Sequence, residues 1–248
     1  MAITIKNDSQ IEKMRIAGQI LARLDEVLRK ELRPGITTLE LDKIAEDYIR
    51  SQGALPSFKG YGGFKGSICT SVNEEVVHGI PSGRKLKEGD IISLDMGSYI
   101  NGFHGDCART YGIGEITPEC QRLIDVTQQS FFEGIKFAKA GNHLYEISSA
   151  VQKYVESNGF SIVRDYVGHG IGHNLHEDPA IPNFKPMGRG PKLVKGIVLA
   201  IEPMVNMGKW QVDVLSDGWT AVTRDGLPAA HYENTVLITD GEPEILTL

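Results

Sequence analysis

The sequence predicts an α+β domain made of two related halves, joined by a pseudo-two-fold axis around an antiparallel sheet with flanking helices. Three observations carry this expectation. A helix-like segment occurs twice at a fixed shift. Two strand-like segments, each holding an acid, also occur twice and in the same order. Asn101-Gly102 marks a tight hairpin between the two acid-bearing runs of the first half.

The first helix of each half is expected at roughly 9–30 and 118–139. The second follows from a self-match at a shift of 106, PGITTLELDKIAEDYIRSQGA (34–54) on AGNHLYEISSAVQKYVESNGF (140–160). Glu40 meets Glu146, Tyr48 meets Tyr154, and Leu41, Ile44, Ala45 and Ile49 meet Ile147, Ala150, Val151 and Val155. This is the apolar spacing of an amphipathic helix, closed in both copies by a C-terminal glycine, Gly53 or Gly159.

The strands come next. LKEGDIISLD (86–95) matches LVKGIVLAIE (193–202) at a shift of 107, and DCARTYGIGE (106–115) matches ENTVLITDGE (233–242) at 127. Asp95 falls on Glu202 and Asp106 on Glu233, and the longer second shift places extra residues between the strands of the second half. The expectation is a single domain over 1–248, with halves at about 9–115 and 118–242.

Asn-Gly suits a two-residue hairpin loop. If it is the loop, Ile100 faces Phe103, Asp95 lies opposite Ala108 and Asp106 opposite Gly97. Opposed residues share a face of the sheet, as do residues two apart on one strand. Asp95 and Asp106 then project from one face as diagonal neighbours, with Gly97 expected to leave space beside Asp106. Among Ile91, Ile92, Leu94 and Met96 such carboxylates resist ionisation unless a cation accompanies them. A solvated sheet face is the alternative reading. With Glu202 and Glu233 also set in apolar runs, there are four carboxylates, which two divalent cations would balance.

The segment VGHGIGHNLHEDP adds His169, His173 and His176, with glycines that let backbone pass close to a site. No cysteine pair or HExxH accompanies them, so a structural zinc is not expected. His78 is a further candidate for proton transfer or substrate contact. His104, His143 and His231 are read by default as structural or surface residues, although His231 is two residues from Glu233 and so placed to support it from behind.

Composition narrows the classes. A 41% hydrophobic, 23% charged chain is ordinary for a globular protein, and a formal net charge of −6 argues against a dedicated nucleic-acid binder. Three cysteines without a CxxC fit a reducing compartment. MAITIKNDSQ lacks a signal-peptide apolar stretch, and no apolar run reaches membrane-spanning length. A cytoplasmic protein is expected.

The ordered motifs SICTSVNEEVVHGIP, GDIISLDMG, GFHGDCARTY, GHGIGHNLHE, AIEPM and HYENTV resemble those of the type I methionine aminopeptidases, in the minimal bacterial form, over nearly the whole chain. The resemblance implies the duplicated pita-bread fold of that family. It implies Asp95, Asp106, His169, Glu202 and Glu233 as ligands of two divalent ions, with Asp106 and Glu233 bridging. Mn²⁺, Fe²⁺ or Co²⁺ suit a carboxylate-rich set, and zinc remains open. His78 and His176 match residues that contact substrate. Tyr61, Phe64, Cys69, Leu175 and Trp219 match the methionine pocket, although from the residues alone they read as core.

The implied reaction is hydrolysis of the first peptide bond by a metal-activated water, with Glu202 as proton shuttle and His176 aiding the oxyanion. The substrates would be the N-terminal peptides of new proteins with a small second residue, and the chain's own Met1-Ala2 fits that preference. The ribosome is a further candidate partner, DNA and membrane are not, and a monomer is expected. His173 stands where many relatives carry another polar residue and Leu175 where some carry an aromatic, which bears on the rim and shape of the pocket. Two other readings stay open: a proline-directed aminopeptidase or prolidase of the same fold, and a non-catalytic peptide-binding relative.

Overall fold

The computed structural model describes residues 3–248; Met1 and Ala2, and with them the expectation that Met1 is removable, lie outside the described residues. The first half runs α1 (Asp8–Glu31), α2 (Thr38–Ser51), β1 (Leu55–Pro56), a 3-10 turn at Tyr61–Gly63, β2 (Ile68–Val72), β3 (Glu75–Val77), β4 (Ile91–Ile100) and β5 (Phe103–Gly112). The second runs α3 (Pro118–Ile135), α4 (Leu144–Ser157), β6 (Ser161–Ile162), β7 (Gly168–Gly170), β8 (Glu177–Ile181) and β9 (Val198–Ile201). It continues through β10 (Met204–Asn206), β11 (Val212–Val214), β12 (Ala221–Thr223), β13 (Ala229–His231), β14 (Glu233–Leu237) and β15 (Glu244–Ile245).

The helices start where local chemistry satisfies their free N–H groups. Asn7 with Gln10, and Thr37 with Glu40, form reciprocal capping boxes at α1 and α2. Thr117 caps α3, which opens on Pro118. Both ends of α2 and α4 differ by 106, the shift of the sequence match. Gly53 and Gly159 follow them in the left-handed region, at φ 75° and 81°. Equivalent backbone bonds tie each helix entrance to the strand that follows: Gly35 N–H donates to the Leu86 carbonyl (2.7 Å), and Gly141 N–H to the Leu193 carbonyl (2.9 Å).

The main sheet has the order β1-β4-β5-β14-β9-β7-β8. Its centre is palindromic, because the aligned pairs β4/β9 and β5/β14 flank the β5–β14 junction. The expected residues between the last two duplicated strands form β10 to β13, which build two small sheets, β13-β10-β6 and β11-β12-β3. Alternation then sorts side chains to the two sheet faces. Ile92, Leu94, Met96 and Cys107 bury against α1 and α2. Leu199, Ile201 and Val236 bury with residues of α3 and α4. The acids are left for the other face. Among the described residues, no helix is long and apolar enough to cross a membrane.

Candidate metal centre

The β4–β5 hairpin has the expected register, with Asp95 opposite Ala108, Gly97 opposite Asp106 and Ile100 opposite Phe103. Asn101 and Gly102 take φ 56° and 84°, as a two-residue turn of this type demands. On the other side of β5, Glu233 of β14 also faces Ala108. A row Asp95–Ala108–Glu233 therefore crosses three strands on one face. A second row runs His169–Ala200–Thr235, and the Thr235 hydroxyl binds the backbone of Asp106 at both N–H and C=O (2.9 Å each). Glu202 follows directly on β9. The small side chains of Ala108 and Ala200 leave the space above the sheet to the carboxylates and the imidazole.

Asp106, His169, Glu233 and His231 are buried, while Asp95 and Glu202 open partly onto a cavity. All four carboxyl groups are held above their ordinary pKa range. Burial is the largest cause in each, and neighbouring acids add to it at Asp106 and Glu233. Asp95 Oδ1, Asp106 Oδ1 and Glu233 Oε1 are buried without a hydrogen-bond partner. Each such group costs about 1–3 kcal/mol unless something satisfies it.

His169 Nδ1–H donates to the Gly170 carbonyl (2.9 Å), which leaves Nε2 with its lone pair. That atom lies 3.8 Å from Asp106 Oδ2 and 3.7 Å from Glu202 Oε1. Burial lowers the His169 pKa to about 3, so the ring is neutral and able to ligate. Two overlapping sets, Asp106–His169–Glu233 and Asp95–His231–Glu233, each bring one ligand atom per residue within 4.8 Å of one another.

Beside the acids lies a cavity of about 170 Å³ lined by Phe58, Tyr61, Phe64, Cys69, His78, Leu175, His176 and Trp219 as well as the acids and His169. Cys69 pairs with Asp95 across β2–β4, and burial, reinforced by Asp95, keeps its thiol protonated. Phe64 and Trp219 meet edge to face at 5.1 Å. His176 Nδ1 is 2.8 Å from the Tyr61 hydroxyl, and its ring lies 4.1 Å from that of His169. His78 sits at φ 61°, unusual for a residue with a Cβ, and its ring meets Tyr166 edge-on at 5.3 Å. Burial lowers the pKa of His78 to about 4 and also lowers that of His176.

A family model described as metallopeptidase family M24 matches residues 12–240. The chain belongs to metallopeptidase family M24. It is 60% identical over 247 residues to a methionine aminopeptidase of Clostridium acetobutylicum, covering 99% of each chain. It is 54% identical to methionine aminopeptidase 1 of Bacillus subtilis, again over 99% of each. The crystal structure of a Thermotoga maritima methionine aminopeptidase superposes with a TM-score of 0.97 at 48% identity, covering 99% of each chain. A Pyrococcus furiosus prolidase shares the fold alone, with a TM-score of 0.80 at 23% identity over 98% of this chain and 65% of that one. The pita-bread fold expected from the sequence is thus the M24 fold.

Every residue named from the sequence as ligand, substrate contact or pocket wall lines the one cavity beside the acids. One expectation differs. Gly97 does not leave space beside Asp106, because a Cβ there would meet Phe58 Cε1 and Ser57 Cβ at 2.7 Å. Phe58 takes that room and enters the cavity wall, with no signal for it in the motifs. Of the two default readings of His231, structural or surface, the structural one holds: the residue is 1% exposed and turned toward Glu202 and Glu233, in keeping with its place two residues before Glu233. The cavity beside the acids is not the larger one. A cavity of about 720 Å³ between Phe137, Tyr145, Lys153 and Arg189 contains none of these groups.

Proposed function

We propose that the chain is a two-metal aminopeptidase that removes the initiator methionine from new proteins and prefers a small second residue. The observation that carries this reading is a buried, unsatisfied cluster of four carboxylates and an imidazole beside a small cavity walled by aromatic and sulfur-bearing side chains. A flexible thioether suits such walls. The names of the full-length relatives at 54–60% identity support the same substrate. The reading takes residues 1–248 as one catalytic domain with halves at about 9–115 and 118–242. It places the protein in the cytoplasm as a monomer, acting on N-terminal peptides, with the ribosome as a further partner and neither DNA nor membrane involved.

The residues fit the ions. Orphaned oxygens of Asp95, Asp106 and Glu233, with the bare Nε2 of His169, form a donor set for hard or borderline divalent cations such as Mn²⁺, Fe²⁺ or Co²⁺, with Zn²⁺ also accommodated. Asp95, Asp106, His169, Glu202 and Glu233 would hold them, with Asp106 and Glu233 shared. When bound, the two ions supply Lewis acidity toward the carbonyl and the attacking water.

The protein's own groups do the rest. A Glu202 carboxylate oxygen takes a proton from the water and returns it to the leaving amine. The Tyr61 hydroxyl can donate to His176 Nδ1, which places the proton of neutral His176 on Nε2, free to donate to the developing oxyanion. His78, neutral and held at a positive φ, faces the second residue of the substrate. Trp219, Phe64, Tyr61, Cys69 and Leu175 exclude water from the methionine side chain.

The test is cleavage of Met-Ala-Ser and Met-Leu-Ser peptides with and without chelator. Cleavage of the first alone is expected, abolished by chelation and restored by Mn²⁺ or Co²⁺. Chelator-insensitive cleavage would refute the metal reading, and release of residues only before proline would favour a prolidase.

A further inference from the structure

We propose that His231 is a sixth protein ligand, giving the second ion of the pair an imidazole of its own. The inference rests on the two-metal reading of the site. His231 ends β13, and its backbone is clamped to β5: its N–H donates to Thr110 Oγ1 (2.9 Å), and that hydroxyl donates back to the His231 carbonyl (2.8 Å). The clamp sets the ring behind the acids. Nε2 lies 3.6 Å from Glu202 Oε2 and 3.8 Å from Glu233 Oε2. These separations are too long for direct hydrogen bonds. The Glu233 separation matches what two donors about 2.1 Å from a common ion adopt at an angle wider than tetrahedral.

The comparison with His169 is close. That ring holds its Nε2 at 3.8 and 3.7 Å from Asp106 and Glu202, so each imidazole spans two carboxylates at nearly the same spacing. Neither ring nitrogen of His231 has a hydrogen-bond partner, although the residue is 1% exposed. A buried polar ring is rarely left so. His231, Asp95 and Glu233 also present one donor atom each within 4.8 Å, in a set that shares only Glu233 with Asp106–His169–Glu233. His231 approaches from a rear cavity of about 320 Å³ that it shares with Arg109 and Tyr232, and it is not part of the front cavity wall. Ligation from behind leaves the front open to substrate.

The test counts imidazoles in the full chain loaded with two equivalents of Co²⁺, by X-ray absorption at the cobalt edge, beside calorimetric titration of the same ion. Two imidazoles per ion pair are expected in the unaltered protein and one in His231→Gln. The variant should weaken the second ion at least tenfold and leave the first within about twofold. If the unaltered protein binds two ions with a single imidazole, the inference fails and the two-metal reading stands. If it binds fewer than two ions, both fall. Because the first measurement needs no variant, poor folding of His231→Gln does not remove the test.

Discussion

The two halves present equivalent acids by different means. In the first, Asp95 and Asp106 sit on one hairpin closed by two residues, and the register follows from the loop. In the second, Glu202 follows β9 and Glu233 opens β14, strands that also pair directly, yet the chain between them makes β10 to β13 first. The difference separates chemistry from recognition. The repeated strands supply the carboxylates. The unrepeated insertion supplies Trp219 for the cavity and His231 for the far side of the acids. It reaches back across the molecule as well, because β12 pairs with β3, where Ala221 faces Val77, and so sets Trp219 beside His78 with ring centroids 6.4 Å apart.

Substitutions test that division. The largest effect belongs to the repeated acids: Glu202→Ala should lower kcat on Met-Ala-Ser by about 10²–10⁴-fold. A near-normal rate would take Glu202 out of the shuttle role. In the insertion, Trp219→Ala should leave cation binding unchanged while reducing the preference for methionine over leucine by about tenfold. Equal loss on Met-Ala-Ser and Leu-Ala-Ser would return Trp219 to a purely structural part.

Cations should matter to stability in a pH-dependent way. Without ions, the four carboxyl groups titrate above their ordinary range, so the stability tied to their neutral forms is whole below about pH 4 and is lost as pH rises through the raised values. Ligation requires the ionised forms. The gap in melting temperature between Mn²⁺-loaded and chelated protein should therefore widen from about pH 5 to pH 8, and a constant gap in scanning calorimetry would contradict the assignment.

The smallest effects fall on the hairpin itself. Gly102→Ala must place a side chain at φ 84° and should cost about 1–2 kcal/mol in urea unfolding. Gly97→Ala overpacks against Phe58 and Ser57 for about 1–3 kcal/mol, with some loss of activity through the cavity wall.

Much of this was legible beforehand because the signals are local or periodic. The Asn101-Gly102 turn sets which residues oppose one another, and so puts Asp95 and Asp106 on one face. The repeat of α2 in α4 was visible because buried faces recur at helical spacing. Phe58 and His231 were not legible in the same way. Phe58 enters the site only because Gly97 lacks a Cβ on the neighbouring strand. For His231 the sequence offered only its nearness to Glu233; the clamp by Thr110, on a strand distant in sequence, sets where its ring lies.

By itself, then, the sequence determined the doubled α+β plan, the hairpin register and the acids that share a face, since periodicity and turn chemistry act over a few residues. Only the tertiary structure decided that β14 lies against β5, that Ala108 and Ala200 leave room above the sheet, and that the imidazoles of His169 and His231 meet the acids from two sides. Those outcomes depend on packing between strands far apart in the chain, where the space one residue vacates determines what another can fill.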